Sequence, residues 1–292
     1  MSTSILRTAD AWWVATANGA RRIDTAARTT GELLTGTITT VGSPVRVDEL
    51  ELLSPVTAPC RVVAQMTNYV SHVVDTGLDP RSTPLTFFRK SSGSISGPHD
   101  DVVKPSHVRL LDYEAEIGLV MGSDNQIAGL VITNDVSARD LQLPKTQFYE
   151  SKSYPTFTPT GPVLVLLDAG EFDRFADLRL RLWVNGELRQ DMTADDMICP
   201  PAQALRALTR FQRLDPGDLV LTGTPVGTAL SAPAKPMQLI GSLLPAATRW
   251  RMFFKSQAKN PKYLKDGDVV EIAIGTDDGK LDLGRQRTVV RA

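Results

Sequence analysis

Short apolar runs bounded by turn residues recur along most of the chain, the pattern of β-strands. The clearest runs are 61–64, 85–89, 114–121, 127–133, 163–167, 178–184, 219–222 and 269–274. Turn chemistry separates them, as in Gly122-Ser123-Asp124-Asn125, Asn185-Gly186, Asp215-Pro216-Gly217-Asp218 and Lys265-Asp266-Gly267-Asp268. One helix is predicted over 199–213, where Pro200 and Pro201 suit a first turn and Ala204, Leu205, Leu208 and Phe211 share a face. Strands joined by tight turns, with few helices, predict a β-rich α+β fold built as a sandwich or barrel-like core.

The N-terminal segment reads as a small domain over 1–58. A strand at 12–17 runs into the hairpin turn Asn18-Gly19, and 30–34 forms a short helix. The stretch Ser54-Pro55-Val56-Thr57-Ala58-Pro59 then leads into a larger domain over 59–292. Within it, 229–265 carries little strand signal and includes Pro233, Pro236 and Pro245. A loop of that length is read either as a lid or binding loop, or as a surface excursion or subunit contact.

A chain of 292 residues with 42% hydrophobic and 22% charged residues is ordinary globular composition, so disorder as a whole is excluded. Lysine and arginine number 32 against 33 acids. That balance provides no basic field for nucleic acid or an anionic membrane. No run approaches the ~20 apolar residues of a spanning helix. The apolar stretch after Arg7 is too short for a signal peptide, and a cytoplasmic protein is expected. Cys60 and Cys199 are far apart and outside any CxxC pattern, so they read as two reduced thiols.

The chemistry concentrates at Asp112-Tyr113-Glu114-Ala115-Glu116, at the head of the 114–121 run. In a strand these three acids share a face, with alternate residues ~7 Å apart. Taken alone, such a pair of glutamates reads as a solvated strand face. If the next strand returns antiparallel, Asp135 arrives opposite Glu116. Three carboxylates without histidine then make a hard oxygen site suited to Mg²⁺, Mn²⁺ or Ca²⁺.

These acids, followed by Asn134-Asp135-Val136-Ser137-Ala138-Arg139-Asp140, resemble the paired core motifs of the fumarylacetoacetate hydrolase family. Further matches follow in order: Asn68-Tyr69-x-x-His72, Phe88-x-Lys90 with Gly97-Pro98, and Lys152-Ser153-Tyr154-Pro155-Thr156-Phe157 with Gly161-Pro162. Val184-Asn185-Gly186-Glu187 and Thr222-Gly223-Thr224-Pro225 complete the set. The resemblance implies mixed β-sheets rolled around the site, usually in a homodimer, with Mg²⁺ as cofactor and a small oxo-acid as substrate. It further implies a place in the breakdown of aromatic compounds. It makes Glu114, Glu116 and Asp135 the metal ligands, and His72, oriented by Asp75, the base that activates water. Lys152 is the accompanying catalytic cation, and Tyr69, Lys90, Arg139, Gln142 and Thr224 are substrate contacts. The activity implied is hydrolysis of a carbon–carbon bond in an acylpyruvate-like 2,4-dioxo acid. Decarboxylation or isomerisation on the same metal, or a catalytically silent binding protein, are the competing readings. Asp75 stands where hydrolytic members commonly carry glutamate, and Pro155 where aspartate is usual. These two departures motivate the silent reading, whereas the link from Met121 to Ile127, which lacks the family's helical excursion, and the long 229–265 segment point to a substrate bulkier than a simple acylpyruvate.

Overall fold

A computed structural model describes residues 2–145, 148–168, 170–230 and 245–292. Its frame is a ten-stranded sheet and a five-stranded sheet. In spatial order the larger sheet runs Thr40–Val45, Gly19–Ile23, Trp12–Thr16, Thr3–Arg7, Leu164–Leu166, Ile127–Asn134, Ala115–Met121, Leu219–Leu221, Val62–Met66, Thr86–Lys90. Its pairings are antiparallel except that of Leu219–Leu221 with Val62–Met66, so the sheet is mixed. The smaller sheet runs Glu187–Thr193, Leu178–Val184, Val269–Thr276, Asp282–Arg291, Val102–Val103. The barrel-like core expected is therefore two packed sheets and no closed barrel, and the fold is β-rich as predicted.

Why the sheets pack follows from the alternation. Ile117, Leu119 and Met121 join Leu180, Leu182 and Ile272 of the smaller sheet in one buried cluster. Val120, on the opposite face, joins Val62, Ala64, Leu219, Leu221, Ile5 and Trp12 in a second. All seven residues of Ala115–Met121 are buried, which is why 117–121 carries no polar side chain. Each side chain fully removed from water there contributes about 1.5–3 kcal/mol.

The chain near residue 58 contains the expected Pro-punctuated link, but hydrogen bonding crosses it. Thr3 and Ile5 pair with Leu166 and Leu164, so the N-terminal strands extend the larger sheet.

Three expectations change. The helix predicted over 199–213 is only Pro201–Leu208: Ala204, Leu205 and Leu208 are buried, but Phe211 is 72% exposed and lies beyond the last turn. The strand expected from Glu114 starts at Ala115, because Leu111–Asp112 pairs separately with Ser137–Ala138 and residues 113–114 bridge the two. The segment 229–265 contains a helix, Ala246–Gln257, whose Trp250, Phe253 and Phe254 contact one another at i, i+3 and i+4 spacing. The remainder of that segment between 231 and 244 lies outside the described residues. No helix among the described residues is long and apolar enough to cross a membrane.

Candidate functional site

The register of the two central strands brings the acids together. Ala115 lies opposite Asn134 and Glu116 opposite Thr133. Asp135 therefore meets Glu114, not Glu116: its amide donates to the Glu114 carbonyl at 2.9 Å. The Glu114 amide donates in turn to Asn134 Oδ1 at 2.9 Å. This clamp holds the backbone where the strand breaks. Carboxylate oxygens of Glu114, Glu116 and Asp135 then lie within 4.8 Å of one another, and all three residues are at least 95% buried. Asp112 does not join them, since the break turns it away to accept from Arg139 Nε at 2.8 Å and from the amides of Ala229 and Leu230.

Three buried cations surround the triad. Lys152 Nζ donates to Glu114 Oε2 at 2.5 Å and Asp135 Oδ2 at 2.6 Å. Lys90 Nζ meets Asp135 Oδ1 and donates to the Phe157 carbonyl at 2.8 Å. Arg139 spends its fork on Asp112, Glu114 and, at 2.8 Å, Gln142 Oε1. Asp112, Glu114, Glu116 and Asp135 thus face Lys90, Arg139 and Lys152, four negative charges against three positive.

The residual charge falls on Glu116. Burial, and then Asp135 and Glu114, push its carboxyl far above the usual range; the hydrogen bond from the Gly223 amide, at 2.7 Å, only partly offsets them. Burial would also raise Glu114, but Arg139 and Lys152 outweigh it and hold that carboxyl down to about 2. A buried cluster with one carboxylate uncompensated, built from oxygen donors alone, fits a hard divalent cation.

Glu116 owes its partner to a local backbone choice. Gly223 has φ +86°, which points its N–H at the carboxylate, and a Cβ there would lie 2.9 Å from Asn68 Cβ. Asn68 locks that turn, donating to the Thr222 carbonyl at 2.8 Å and accepting from the Cys199 amide at 2.9 Å. Thr222 and Thr224 donate their hydroxyls to the Ile117 and Ala115 carbonyls, both at 2.9 Å.

Above the triad lies a cavity of about 180 Å³. His72, Arg139, Gln142, Lys152 and Thr224 line it with the three acids. His72 sits on the helix Val70–Asp75, whose N-terminus is held by Asp196 accepting from the Ser71 amide at 2.9 Å. Its Nδ1 is buried without a hydrogen-bond partner, and burial, opposed by Glu114, lowers its pKa. The imidazole is therefore neutral near pH 7 and able to accept a proton.

Other predicted residues stand elsewhere. Asp75 makes no hydrogen bond to His72 among the described residues and does not line the cavity. Tyr69 is fully buried at the start of the same helix with its hydroxyl unpartnered, and Lys90 stands behind Asp135; neither lines the cavity. Thr224 is committed to Ala115 and Gln190. Gln142 accepts from Arg139 on its oxygen, and its amide nitrogen has no partner among the described residues. Sequence reasoning missed Gln190, which accepts from the Ala115 amide at 3.0 Å and donates to Thr224, and the cavity residues Gln65 and Phe148. No local pattern marks any of these three.

The comparisons agree with this geometry. Residues 61–291 match the family model described as Fumarylacetoacetate (FAA) hydrolase C-terminal. The chain is 33% identical over 233 residues to 2,4-didehydro-3-deoxy-L-rhamnonate hydrolase of Sphingomonas sp. (strain SKA58), covering 75% of this chain and 71% of that protein. It is 33% identical over 194 residues to oxaloacetate tautomerase FAHD2A, mitochondrial, of Homo sapiens, a match spanning 62% of this chain and only 61% of the tautomerase. Among solved structures, a fumarylacetoacetate hydrolase from psychrophilic Exiguobacterium antarcticum superimposes with a TM-score of 0.74 at 26% identity, over the full length of both chains. These relatives are enzymes named for hydrolysis and tautomerisation. With its buried triad, its two-sheet frame and a family match over most of its length, this chain belongs to the fumarylacetoacetate hydrolase family.

Proposed function

We propose that this protein is a divalent-metal-dependent hydrolase that cleaves a carbon–carbon bond in an acylpyruvate-like 2,4-dioxo acid, working in the cytoplasm as a homodimer. The observation that carries the reading is the cavity itself, with Glu114, Glu116 and Asp135 at its floor and a neutral, unpartnered His72 on its wall. A divalent cation held by the three acids, Mg²⁺ in the first instance and Mn²⁺ or Ca²⁺ as alternatives, would supply Lewis-acid polarisation of the 2-oxo acid.

The residues of the chain do the rest. His72 accepts a proton from water as the oxygen attacks C4 of the substrate. The C3–C4 bond then breaks, and its electron pair passes to C3. The proton held by His72 is delivered to C3, releasing pyruvate and the carboxylic acid. Lys152, whose pKa is raised because Asp135 and Glu114 outweigh its burial, stays protonated and stabilises negative charge developing on the substrate oxygens. The free Gln142 amide donates to the substrate. Lys90, behind Asp135, holds that carboxylate in place without reaching the cavity, while Arg139 orients Glu114 from the cavity wall.

One observation favours a second reading, a tautomerase or isomerase on the same metal. With Asp75 making no hydrogen bond to His72, the imidazole lacks the orienting carboxylate of a water-activating pair, whereas moving a proton between carbon and oxygen needs only a base. A decarboxylase is covered by the same test. Acetylpyruvate, longer acylpyruvates and oxaloacetate are incubated with and without Mg²⁺ or Mn²⁺. Stoichiometric pyruvate and carboxylic acid, abolished in His72→Ala, support hydrolysis. Rapid oxaloacetate enol–keto exchange without cleavage of any acylpyruvate replaces it with the second reading.

A further inference from the structure

One part of the cavity wall is apolar. Met66, Leu78, Phe88, Leu143, Phe148 and Leu230 line it, drawn from five separated stretches of the chain. Phe88 and Phe148 stand with ring centroids 5.2 Å apart, and Leu78 is 59% exposed at the edge. Partly exposed apolar side chains converging on one opening leave surface in water that a ligand's apolar end would cover.

Charge gives the complementary half. Among the described lining residues the permanent cations are Arg139 and Lys152, and both are already bound to carboxylates. A further polar atom at the cavity, Gln65 Oε1, is buried without a partner and is an acceptor. A second carboxylate at the far end of a substrate would lose its water and meet no unpaired cation among the described lining residues.

We infer that this cavity selects 2-oxo acids whose distal group is uncharged and apolar, an alkyl or aryl chain, with Phe148 and Leu78 as specificity-determining residues. The inference rests on the oxo-acid reading above but not on the bond that is cleaved. It is tested by binding, with the whole protein and Mg²⁺ in a calorimeter, using pyruvate, 2-oxohexanoate, 2-oxo-octanoate, 2-oxoglutarate and 5-methyl-2-oxohexanoate, the uncharged near-isostere of 2-oxoglutarate. Affinity is expected to rise about three- to fourfold per added methylene until the wall is covered. The isostere is expected to bind at least about tenfold more tightly than 2-oxoglutarate. Phe148→Ala and Leu78→Ser should each reduce the ratio of 2-oxo-octanoate to pyruvate affinity. Phe148→Arg should reverse the order of 2-oxoglutarate and its isostere, a gain that a merely damaged protein cannot produce. A flat chain-length series, or tighter binding of 2-oxoglutarate by the unaltered protein, overturns the inference. Failure of every 2-oxo acid to bind overturns it together with the functional reading. If the apolar preference holds while no acylpyruvate is cleaved, the hydrolase reading falls and the inference stands.

Discussion

Asn68 Cβ lies 2.9 Å from the point where a Cβ on Gly223 would sit, so the asparagine closes the turn that aims the Gly223 amide at Glu116. Gly223→Ala is therefore doubly penalised. The left-handed backbone, at φ +86°, costs about 1–2 kcal/mol for alanine, and the contact with Asn68 adds to it. The midpoint of chemical denaturation should fall accordingly. Calorimetric titration should also show weaker Mg²⁺ binding, because the Gly223 hydrogen bond to the Glu116 carboxylate moves with the turn. Unchanged Mg²⁺ affinity in a folded Gly223→Ala protein would detach this turn from the metal site.

Lys90 has no side-chain exposure and its partner Asp135 has 1%, so Lys90→Met removes one half of a buried pair. Such losses cost about 3–5 kcal/mol. Asp135 keeps Lys152 and burial already opposes the charged form of Lys90, which places the expected loss at the lower end, about 3 kcal/mol. Arg81→Ala breaks a pair with Asp79 that is 91% and 47% exposed, and should leave stability nearly unchanged. Urea denaturation of the two variants measures the contrast.

What the sequence made legible was the part written in local period. The order of the apolar runs, the three acids that meet and the cavity-lining histidine of the Asn68-Tyr69-x-x-His72 motif were all readable in line. The misreadings arise where contacts between distant segments decide. Alternation predicts one face for Asp112, Glu114 and Glu116, but pairing of Asp112 with Ser137 ends one strand before the next begins, and Asp112 turns to Arg139. Lys90 and Arg139 carry charges that default to solvent or substrate in a sequence reading. Only the fold shows that each is committed to a buried acid. Phe211 fits the helical spacing of Ala204 and Leu208, yet the chain leaves the helix at Leu208 and the ring meets Phe87 at 6.3 Å instead.

His72 gives a pH dependence of definite sign. Burial disfavours the imidazolium in the folded protein, so its folded pKa lies below the usual 6.5 while the unfolded chain keeps about 6.5. Between those two values the unfolded state binds more protons, and stability is lost as pH falls through that window. The acid limb of kcat/KM should likewise lie below pH 6.5, since the free enzyme's base stays neutral further into acid. His72→Gln should flatten the stability loss in that window. A limb at or above pH 6.5 would exclude His72 as the base.

Removal of one acid tests the metal centre. In the unaltered protein, Mg²⁺ at a hundred times its dissociation constant should stabilise the fold by about 2.7 kcal/mol, seen as a rise in Tm. Glu116→Gln keeps the shape and the acceptor for the Gly223 amide but removes the charge that the surrounding cations leave uncompensated. At a pH high enough to ionise Glu116 it should raise the Tm of the metal-free protein, because a buried like charge is gone, and it should abolish the Mg²⁺ increment. The two shifts run in opposite directions, which a simple packing defect does not produce. A Mg²⁺ increment retained in Glu116→Gln would take that residue out of the ligand set.

Asp75 decides how far His72 works alone. It lies three residues on in the same short helix, yet no hydrogen bond joins the two side chains. Asp75→Asn preserves volume and removes charge, so hydrolysis should stay within about twofold of the unaltered enzyme, far from the 10²–10⁴-fold typical of general acid–base catalysis. Asp75→Glu adds one methylene toward the imidazole. Where that carboxylate reaches the ring, it stabilises the imidazolium, raises kcat for hydrolysis and moves the acid limb of the pH profile upward. The direction of the limb is diagnostic, because a longer side chain that only perturbed packing would change the rate without shifting the pH dependence. A loss of more than tenfold in Asp75→Asn would restore the aspartate to the base pair and require the helix Val70–Asp75 to rearrange when substrate binds.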